Sequence, residues 1–376
     1  MDNIHQNVYG KNKKRLRGVI WSALLVLSFV CLSQLWDSVA FAKTNTAGAY
    51  IVIERTSGRV LFSSNENLKM YPASTTKILT ALTVLDKVKD IEQIVAIDDK
   101  AVGVEGSSIY LKKGDKRSVK ELLYGLMLRS GNDAAVALAL YVSPDIEQFA
   151  KLMNDKAKEC GAENSNFVNP NGLHDDNHYT TASDLAKISA AAMKNETFRK
   201  IVSTKTIVFG EGENKRYYTN KNKMLATFEG ATGIKTGYTK NSGRCLVSSA
   251  MRDDMELICV VLNRYDMWND SKNLLNRGFN EFELKPLLEG YEKEVNVLKG
   301  KSVSCKAVPE NTGLYPVKKD GSDKFEIKAK VKTLKAPFKA GTECGTVEVY
   351  DGNRLIYRQK LVTINSVDKK SFFDRF

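Results

Sequence analysis

The stretch PASTTKI, Pro72 to Ile78, places a serine and a lysine three residues apart, where a strand pattern gives way to a helix pattern. Residues i and i+3 share one face of a helix, so we expect Lys77 to lie one turn from the hydroxyl of Ser74. A helix dipole contributes roughly 0.3–1 kcal/mol, which is far too little to ionise an alcohol at neutral pH. Ser74 would therefore need a base, and Lys77 could be that base if burial and a second cation lowered its pKa from ~10.4 to about 7.

This pair alone does not separate a catalytic role from a structural one. A serine at the start of a helix is commonly its N-cap. The same spacing also recurs at Ser366 and Lys369, in a polar tail with no apolar helix pattern behind it. Further motifs are needed to decide.

Two further motifs favour catalysis. The triplet SGN, Ser130–Asn132, lies between two helix patterns and offers a hydroxyl and an amide that could relay a proton and fix a substrate amide. The triplet KTG, Lys235–Gly237, lies in a strand pattern. A strand with a cation, a hydroxyl and a residue without a Cβ can let a peptide lie along its edge while Lys235 and Thr236 hold a carboxylate.

The patterns between residues 49 and 284 predict one α+β domain, with a hairpin, then helices, then strands. The hairpin is expected at 49–54 and 60–63, around the turn RTSG. Apolar spacing predicts helices at 74–88, 119–128, 133–141, 144–158, 181–194 and 270–282, and strands at 233–239, 244–251 and 255–263. Thr181 and Asp184 have the form of a capping box.

Beyond about Leu284 the sequence consists of short alternating runs separated by turn residues, such as FEIKAKVKTL and the turn DGNR. This pattern predicts a small all-β domain. We therefore expect a first domain at 43–284, a second at 285–366 and a tail at 367–376.

The N-terminal segment has the form of an export signal. Basic residues between Lys11 and Arg17 precede an uncharged stretch of 19 residues, Gly18–Trp36, and Ala40–Ala42 supplies a small-x-small cleavage site. We expect residues 1–42 to be a signal peptide, with an uncleaved anchor as the alternative. Its removal takes away five positive and two negative side chains, so the formal charge falls from +13 to +10. A basic exported chain suits an anionic cell envelope, and its dispersed charge does not favour nucleic acid as a partner.

The cysteines do not form a disulfide framework. Five remain after residue 42, and they are scattered along the chain. If Asp253 and Asp254 form a two-residue hairpin turn, Cys259 faces Ser248. Cys245 then lies three residues further along its strand, which is too far for a bridge.

The order S-x-x-K, S-x-N, K-T-G is the signature of penicillin-binding proteins and serine β-lactamases. The segments YPASTTKILTAL, LMLRSGNDAAVALA, NPNGLHDDNHYTTASDLA and GIKTGYT resemble those of low-molecular-weight penicillin-binding proteins, the serine-type D-alanyl-D-alanine carboxypeptidases. This resemblance runs from about residue 47 to residue 284. It implies a β-lactamase/transpeptidase-like domain, with an antiparallel sheet and a helical cluster, followed by a small all-β domain.

The resemblance implies an acyl-enzyme mechanism that needs no metal and no cofactor. Ser74 would attack the carbonyl between the last two D-alanines of a peptidoglycan stem pentapeptide, with Lys77 as base and Ser130 passing a proton to the leaving amine. The other implied roles are orientation of the acyl chain by Asn132, capture of the terminal carboxylate by Lys235 and Thr236 beside Gly237, and an oxyanion hole formed by the backbone N–H groups of Ser74 and Tyr238.

The implied partners are the D-Ala-D-Ala terminus of the stem peptide and β-lactams as covalent inhibitors. The implied location is the cell envelope, either at the outer face of the cytoplasmic membrane or secreted. A serine β-lactamase is one alternative, although the segment ENSNF at Glu163 lacks the E-x-x-L-N pattern of class A enzymes. A penicillin-binding sensor that is acylated without turnover is the other.

Several other side chains have both a functional and a structural interpretation. His174 and His178, with the neighbouring aspartates, resemble metal ligands, but they lie in a loop after NPNG, where a spacing of four puts no two side chains on one face. Arg264 ends a strand and could hold a carboxylate or be a surface arginine. The C-terminal stretch SVDKKSFFDRF could form a short helix, whose Phe372, Phe373 and Phe376 would make a weak peripheral membrane contact.

Overall fold

The computed structural model of the chain describes residues 48–371, so the expected signal peptide lies outside the described residues. The α+β prediction with a following β-rich part is confirmed. The helices are α1 (Lys77–Lys87), α2 (Val119–Tyr124), α3 (Asn132–Val142), α4 (Ile146–Glu159), α5 (Ala182–Ala192), α6 (Glu196–Ser203), α7 (Met224–Thr227) and α8 (Met267–Glu281). The strands are β1 (Ala49–Glu54), β2 (Val60–Ser64), β3 (Ile94–Ala96), β4 (Lys116–Ser118), β5 (Thr206–Phe209), β6 (Arg216–Thr219), β7 (Ala231–Thr239), β8 (Gly243–Arg252), β9 (Met255–Leu262), β10 (Phe282–Pro286), β11 (Lys293–Leu298), β12 (Ser304–Pro309), β13 (Leu314–Lys318), β14 (Phe325–Val331), β15 (Leu334–Lys335), β16 (Glu343–Asp351) and β17 (Arg354–Thr363).

A five-stranded antiparallel sheet of order β2-β1-β9-β8-β7 forms the centre of the first part. Every residue of β9 is buried. Ile258 and Val260 pack into the core that contains α1 and α5, whereas Leu257 and Val261 pack into the core that contains α8. A strand covered on both faces reads as a continuous apolar run, which explains the sequence MELICVVL.

The hairpin between β8 and β9 has the predicted turn. Asp253 and Asp254 both have left-handed φ angles, 47° and 62°, as a type I′ turn requires. The register places Cys259 opposite Ser248, as predicted. Cys245 and Cys259 are both free.

The helical cluster departs from the sequence prediction at the two segments that carry motifs. The helix expected from Ser74 begins at Lys77, after a 3-10 turn at Ala73–Thr76. The helix expected at 119–128 is the short α2 followed by a π turn, Gly125–Arg129, which ends at a left-handed Ser130. Irregular helical turns of this kind are frequent at functional sites.

Elsewhere the helix prediction is confirmed within a few residues, including the cap at Thr181, whose hydroxyl accepts from the amide of Asp184. Helix α6 and the β5–β6 hairpin were not predicted. Both are short, and α6 begins at a cap formed by Asn195 and the amide of Phe198. Short elements of this kind show only a weak periodicity of apolar residues, so their secondary structure depends on packing against the larger core.

The β-rich part contains a six-stranded sheet of order β14-β16-β17-β12-β11-β15. Its interior holds a separate apolar cluster that includes Val295, Ala307, Val347 and Leu361. Strand β10 pairs with β13 and runs across the boundary expected at 284/285, so the two parts are joined by continuous strand.

The tail does not begin as the expected helix. Val367 and Lys369 make isolated β-bridges with Phe338 and Gly300, and Val367 belongs to the apolar cluster of the β-rich part. The helix prediction is therefore wrong as far as Ser371. The three phenylalanines lie outside the described residues.

Arg59 links the β1–β2 hairpin to the β-rich part through an ion pair and a hydrogen bond. Its guanidinium makes a bidentate ion pair with Asp323, at 2.8 and 2.5 Å, and donates to the carbonyl oxygen of Pro316. It also lies within 6 Å of the ring centroids of Phe282, Tyr315 and Phe325, a distance at which cation–π attraction is significant. The paired side chains are only 11% and 13% exposed, so most of this ion pair is shielded from water.

We predict that Arg59→Ala lowers the free energy of unfolding by about 3 kcal/mol, because it leaves the largely shielded Asp323 carboxylate without its cation and removes the guanidinium from the aromatic rings. The measurement is denaturant unfolding. Lys113→Ala is the matched control, because the Lys113–Asp99 pair is 78% and 58% exposed and should cost no more than about 1 kcal/mol. Equal losses in the two variants would contradict the role given to Arg59.

Candidate active site

The residue before the candidate nucleophile adopts a left-handed conformation. Ala73 has a φ of 48°, and a non-glycine residue pays about 1–3 kcal/mol for such a conformation. Two glycines let the surrounding segments approach this turn. A Cβ on Gly172 would lie 1.9 Å from the carbonyl oxygen of Ala73, and a Cβ on Gly237 would lie 3.1 Å from the amide nitrogen of Ser74. The Gly172 loop and strand β7 therefore hold the turn from two directions.

The amine of Lys77 is fully buried at the centre of the site. Its Nζ atom lies 2.9 Å from Ser74 Oγ, 2.7 Å from Asn132 Oδ1 and 2.5 Å from the carbonyl oxygen of Asn171. A neutral amine has two N–H donors and one lone pair. Donation to Asn132 and Asn171 leaves the lone pair for the hydroxyl hydrogen of Ser74, which is the geometry that general-base activation needs.

The surroundings of Lys77 favour this neutral form. Burial lowers its pKa well below the ordinary value, and the cations of Lys235 and Lys221 lower it further. The carboxylate of Asp133 acts in the opposite direction. That carboxylate accepts hydrogen bonds from the rim loop, Ser107–Leu111, through the hydroxyl of Ser108 and the amides of Ile109 and Leu111.

The second buried lysine contacts the middle motif. Lys235 Nζ donates to Ser130 Oγ at 3.0 Å and to the carbonyl oxygen of Thr236 at 2.9 Å. Burial, helped by the charge of Lys221, lowers the pKa of Lys235 to about 7. Lys235 therefore changes its charge near neutral pH.

Asn132 connects the buried amine to the rim of the site. Its Oδ1 accepts from Lys77, and its Nδ2 donates to the carbonyl oxygen of Glu105 at 2.5 Å. Its backbone N–H donates to the carbonyl oxygen of Ser107 at 2.7 Å. These contacts fix the orientation of the Asn132 amide.

The KTG strand forms one wall of the site. Strand β7 is an edge of the central sheet, so one row of its backbone groups has no strand partner. Side chains alternate between the two faces of a strand, so Thr236 and Tyr238 lie on one face of β7 and Lys235 and Gly237 on the other. The side chain of Tyr238 is 65% exposed.

Hydrogen bonds thus bring Ser74, Lys77 and Asn132 together, and another joins Ser130 to Lys235. The two groups are linked by the effect of the Lys235 charge on Lys77, and Thr236, Gly237 and Tyr238 lie in the same edge strand as Lys235.

The histidines have structural surroundings. His178 Nδ1 accepts from the amide of Val168, so its Nε2 donates to the hydroxyl of Thr76 at 2.8 Å. Burial lowers its pKa to about 4. His174 packs edge-on against Tyr71. Within residues 48–371, no group of three or more potential metal ligands is close enough to hold an ion.

Sequence reasoning missed three contributors to the site, Asn171, Gly172 and Lys221, and left the role of Arg264 open. The carbonyl of Asn171 and the bare backbone of Gly172 come from the NPNG segment, which was interpreted as a turn and as part of the family resemblance but was given no role in the site. Lys221, whose Nζ donates to Ser107 Oγ at 3.1 Å, lies in no motif. Arg264, which was left open, pairs with Asp270 at 2.7 Å, as a surface arginine does.

Comparisons with known proteins agree with this geometry. Residues 37–266 match the family described as D-alanyl-D-alanine carboxypeptidase, and residues 282–369 match the C-terminal domain of penicillin-binding protein 5. The chain is 32% identical to the D-alanyl-D-alanine carboxypeptidase DacF of Bacillus subtilis, over 96% of each chain. It is also 32% identical to DacC of Escherichia coli, over 96% of this chain and 94% of the relative.

Solved structures give the same result. Penicillin-binding protein 5 from Haemophilus influenzae superposes with a TM-score of 0.69 at 32% identity, covering 86% of this chain and 98% of that one. The chain therefore belongs to the D-alanyl-D-alanine carboxypeptidase family of serine peptidases, S11, with a penicillin-binding protein 5 type C-terminal domain. The resemblance seen in the sequence is confirmed.

Family membership carries general properties. The protein is a serine-type D-Ala-D-Ala carboxypeptidase, and its family acts on peptides with that terminus, binds β-lactams and works in the cell envelope. No helix within residues 48–371 has both the length and the apolar character needed to cross a bilayer.

We predict that Gly172→Ala lowers kcat for D-alanine release by about a hundredfold, because the new Cβ would overlap the carbonyl of Ala73 and displace the Ser74 turn. Gly103→Ala is the matched control. Gly103 has a similar left-handed φ, 70°, but open space around it, so it shares the backbone cost without touching the site. Comparable activity in the two variants would show that Gly172 does not position the nucleophile.

Proposed function

We propose that the enzyme removes the terminal D-alanine from peptidoglycan stem pentapeptides through an acyl-enzyme on Ser74. The contact that supports this most directly is the 2.9 Å separation of Lys77 Nζ and Ser74 Oγ, with both amine hydrogens engaged by carbonyl oxygens. As Ser74 Oγ bonds to the carbonyl carbon between the last two residues, Lys77 takes the hydroxyl proton. The backbone N–H groups of Ser74 and Tyr238 stabilise the oxyanion, an interaction worth about 2.7–4 kcal/mol per donor.

Collapse of the tetrahedral intermediate breaks the C–N bond to the terminal residue. Ser130 gives its hydroxyl proton to the leaving amine, and the Ser130–Lys235 hydrogen bond supports this step. The proton that Lys77 took from Ser74 replaces the one that Ser130 gave up, so Lys77 is neutral again. Lys77 then takes a proton from the water that attacks the ester and returns it to Ser74 Oγ as the ester bond breaks. No metal or cofactor takes part.

Substrate binding uses the other motif residues. Lys235 and Thr236 hold the terminal carboxylate, and Asn132 orients the acyl chain. Gly237 keeps strand β7 close to the Ser74 turn, because a side chain there would meet the backbone of Pro72, Ser74 and Thr75. β-Lactams enter the same site and acylate Ser74.

We also propose the arrangement of the exported chain. Residues 1–42 form a signal peptide, 43–284 the catalytic domain, 285–366 the β domain and 367–376 a tail. The enzyme then works outside the cytoplasm, at the outer face of the cytoplasmic membrane or secreted.

The first test is release of D-alanine from a diacetyl-Lys-D-Ala-D-Ala peptide, together with intact-mass analysis after penicillin treatment. We expect release and a long-lived penicillin adduct on Ser74, both lost in Ser74→Ala. Ser366→Ala is the matched control, because Ser366 and Lys369 share the spacing of the catalytic pair but lie in the tail. Rapid penicillin turnover would indicate a β-lactamase, and a stable adduct without peptide hydrolysis would indicate a sensor.

The second test is the pH dependence of kcat/KM, which reports the free enzyme. Activity should rise as Lys77 loses its proton and fall above about 7, as Lys235 loses the charge that binds the carboxylate. In Lys235→Arg the guanidinium stays charged, so the alkaline fall should move well above neutral pH while the acid limb remains. An alkaline limb that stays in place would show that it belongs to another group.

A further inference from the structure

The positive charge of the chain is concentrated in its β-rich part. Residues 285–371 contain eighteen lysines and arginines against eleven acidic residues, whereas residues 43–284 contain thirty-three against thirty. The smaller part therefore carries a net charge of +7 and the larger part only +3. A charge separated in this way gives one end of a molecule a strong field.

Three segments bring part of this charge together at one end of the six-stranded sheet. The first segment consists of Leu298 at the end of β11 and residues 299–303, which connect β11 to β12. Lys335 in β15 lies opposite Leu298. The tail returns along the same turn, because Lys301 donates its backbone N–H to Asp368 and Lys370 donates its own to Lys299. We name this region the basic tip; it comprises Lys299, Lys301, Lys335, Lys369, Lys370, Leu298 and Val303.

The cations of the basic tip have no acidic partners within residues 48–371. All five lysines are exposed, and none forms an ion pair with another described residue. Several exposed cations elsewhere on the same sheet do have acidic partners, among them Lys306 with Glu292, Arg358 with Glu348, and Lys360 with Glu343. Asp368 is the single acidic residue within the three segments, so the tip keeps a net charge of about +4.

Apolar side chains lie among these lysines. Leu298, the last residue of β11, is 58% exposed, and Val303, in the connection to β12, is 82% exposed. A linear polyanion in water would bind the cations and gain nothing from these side chains. A bilayer surface offers anionic headgroups to the lysines and an apolar layer to Leu298 and Val303.

We propose that the basic tip is a docking surface for an anionic lipid bilayer. Each lysine near such a surface contributes about 1 kcal/mol, so five cations provide a reversible attachment, and the two apolar side chains insert at the headgroup boundary. This surface is separate from Ser74 and makes no use of the catalytic residues. It differs from the aromatic tail considered in the sequence, because every residue of the tip precedes Phe372.

The test is co-sedimentation with vesicles of phosphatidylcholine containing about one-third phosphatidylglycerol. The protein is prepared from Lys43 onward, since the apolar run before it would itself bind lipid. Lys301→Glu/Lys335→Glu should lower the partition coefficient by about tenfold or more. Leu298→Ser/Val303→Ser should lower it by a smaller factor, and pure phosphatidylcholine vesicles should not bind the protein.

The matched control is Lys324→Glu/Arg354→Glu, which changes the net charge equally in the same part of the chain. Both residues are exposed. Lys324 directly precedes β14 and Arg354 begins β17, at the end of the sheet opposite to the basic tip. Binding should be reduced much less than in the tip variant. An equal loss would overturn the proposal, because it would show that net charge alone governs binding.

Two further experiments distinguish the basic tip from the aromatic tail, and a bilayer from a soluble polyanion. Removal of residues 372–376 should leave most of the vesicle binding, and loss of all binding would assign the attachment to the aromatic tail instead. Binding to soluble polyphosphate, combined with vesicle binding that Leu298→Ser/Val303→Ser leaves unchanged, would identify a polyanion site and overturn the bilayer proposal. D-Alanine release from a soluble peptide should be the same in every variant, which separates a failure here from a failure of the proposed chemistry.

Discussion

The buried amine of Lys77 is the constraint on which the site depends. An ammonium ion in this position would lie near two other cations, Lys235 and Lys221, and out of contact with water. The chain meets this constraint by giving the neutral amine two carbonyl oxygens to donate to and one hydroxyl to accept from. Each of the three partners comes from a different segment. The 3-10 turn before α1, the SGN segment and the NPNG loop must therefore all be in place before Ser74 has a base.

The motif residues were identifiable from the sequence because their spacing and order are unusual, and each lies at a junction between patterns. The supporting contacts were not. The Asn171 carbonyl is a backbone group that any residue could supply, and it reaches Lys77 across 94 positions of sequence. Gly172 lets the NPNG loop approach Ala73 closely, and His178 is buried a few residues further along the chain. Both features depend on how this loop packs in the folded protein. Periodicity reports only which face of an element is apolar, so it gives no information on such contacts.

The β-rich part shows the same limit. Alternating runs predicted its strands, but not the order in which they pair, because pairing depends on distant partners rather than local pattern. The Arg59–Asp323 pair joins residues 264 positions apart, and the tail pairs with the turn after β11 instead of forming a helix. That pairing also creates the basic tip, since Lys369 and Lys370 join Lys299 and Lys301 only when the tail is extended.

The most direct test of the account is the protonation state of Lys77 in the free enzyme, measured by NMR of lysine labelled at Nζ and assigned with Lys77→Arg. We expect a resonance that changes from ammonium to neutral amine at a pH well below the ordinary pKa of ~10.4, because burial and the neighbouring cations disfavour the charged form. A Lys77 signal that stays that of an ammonium ion until pH ~10 would contradict it, because Ser74 would then have no base in the position where the structure puts one.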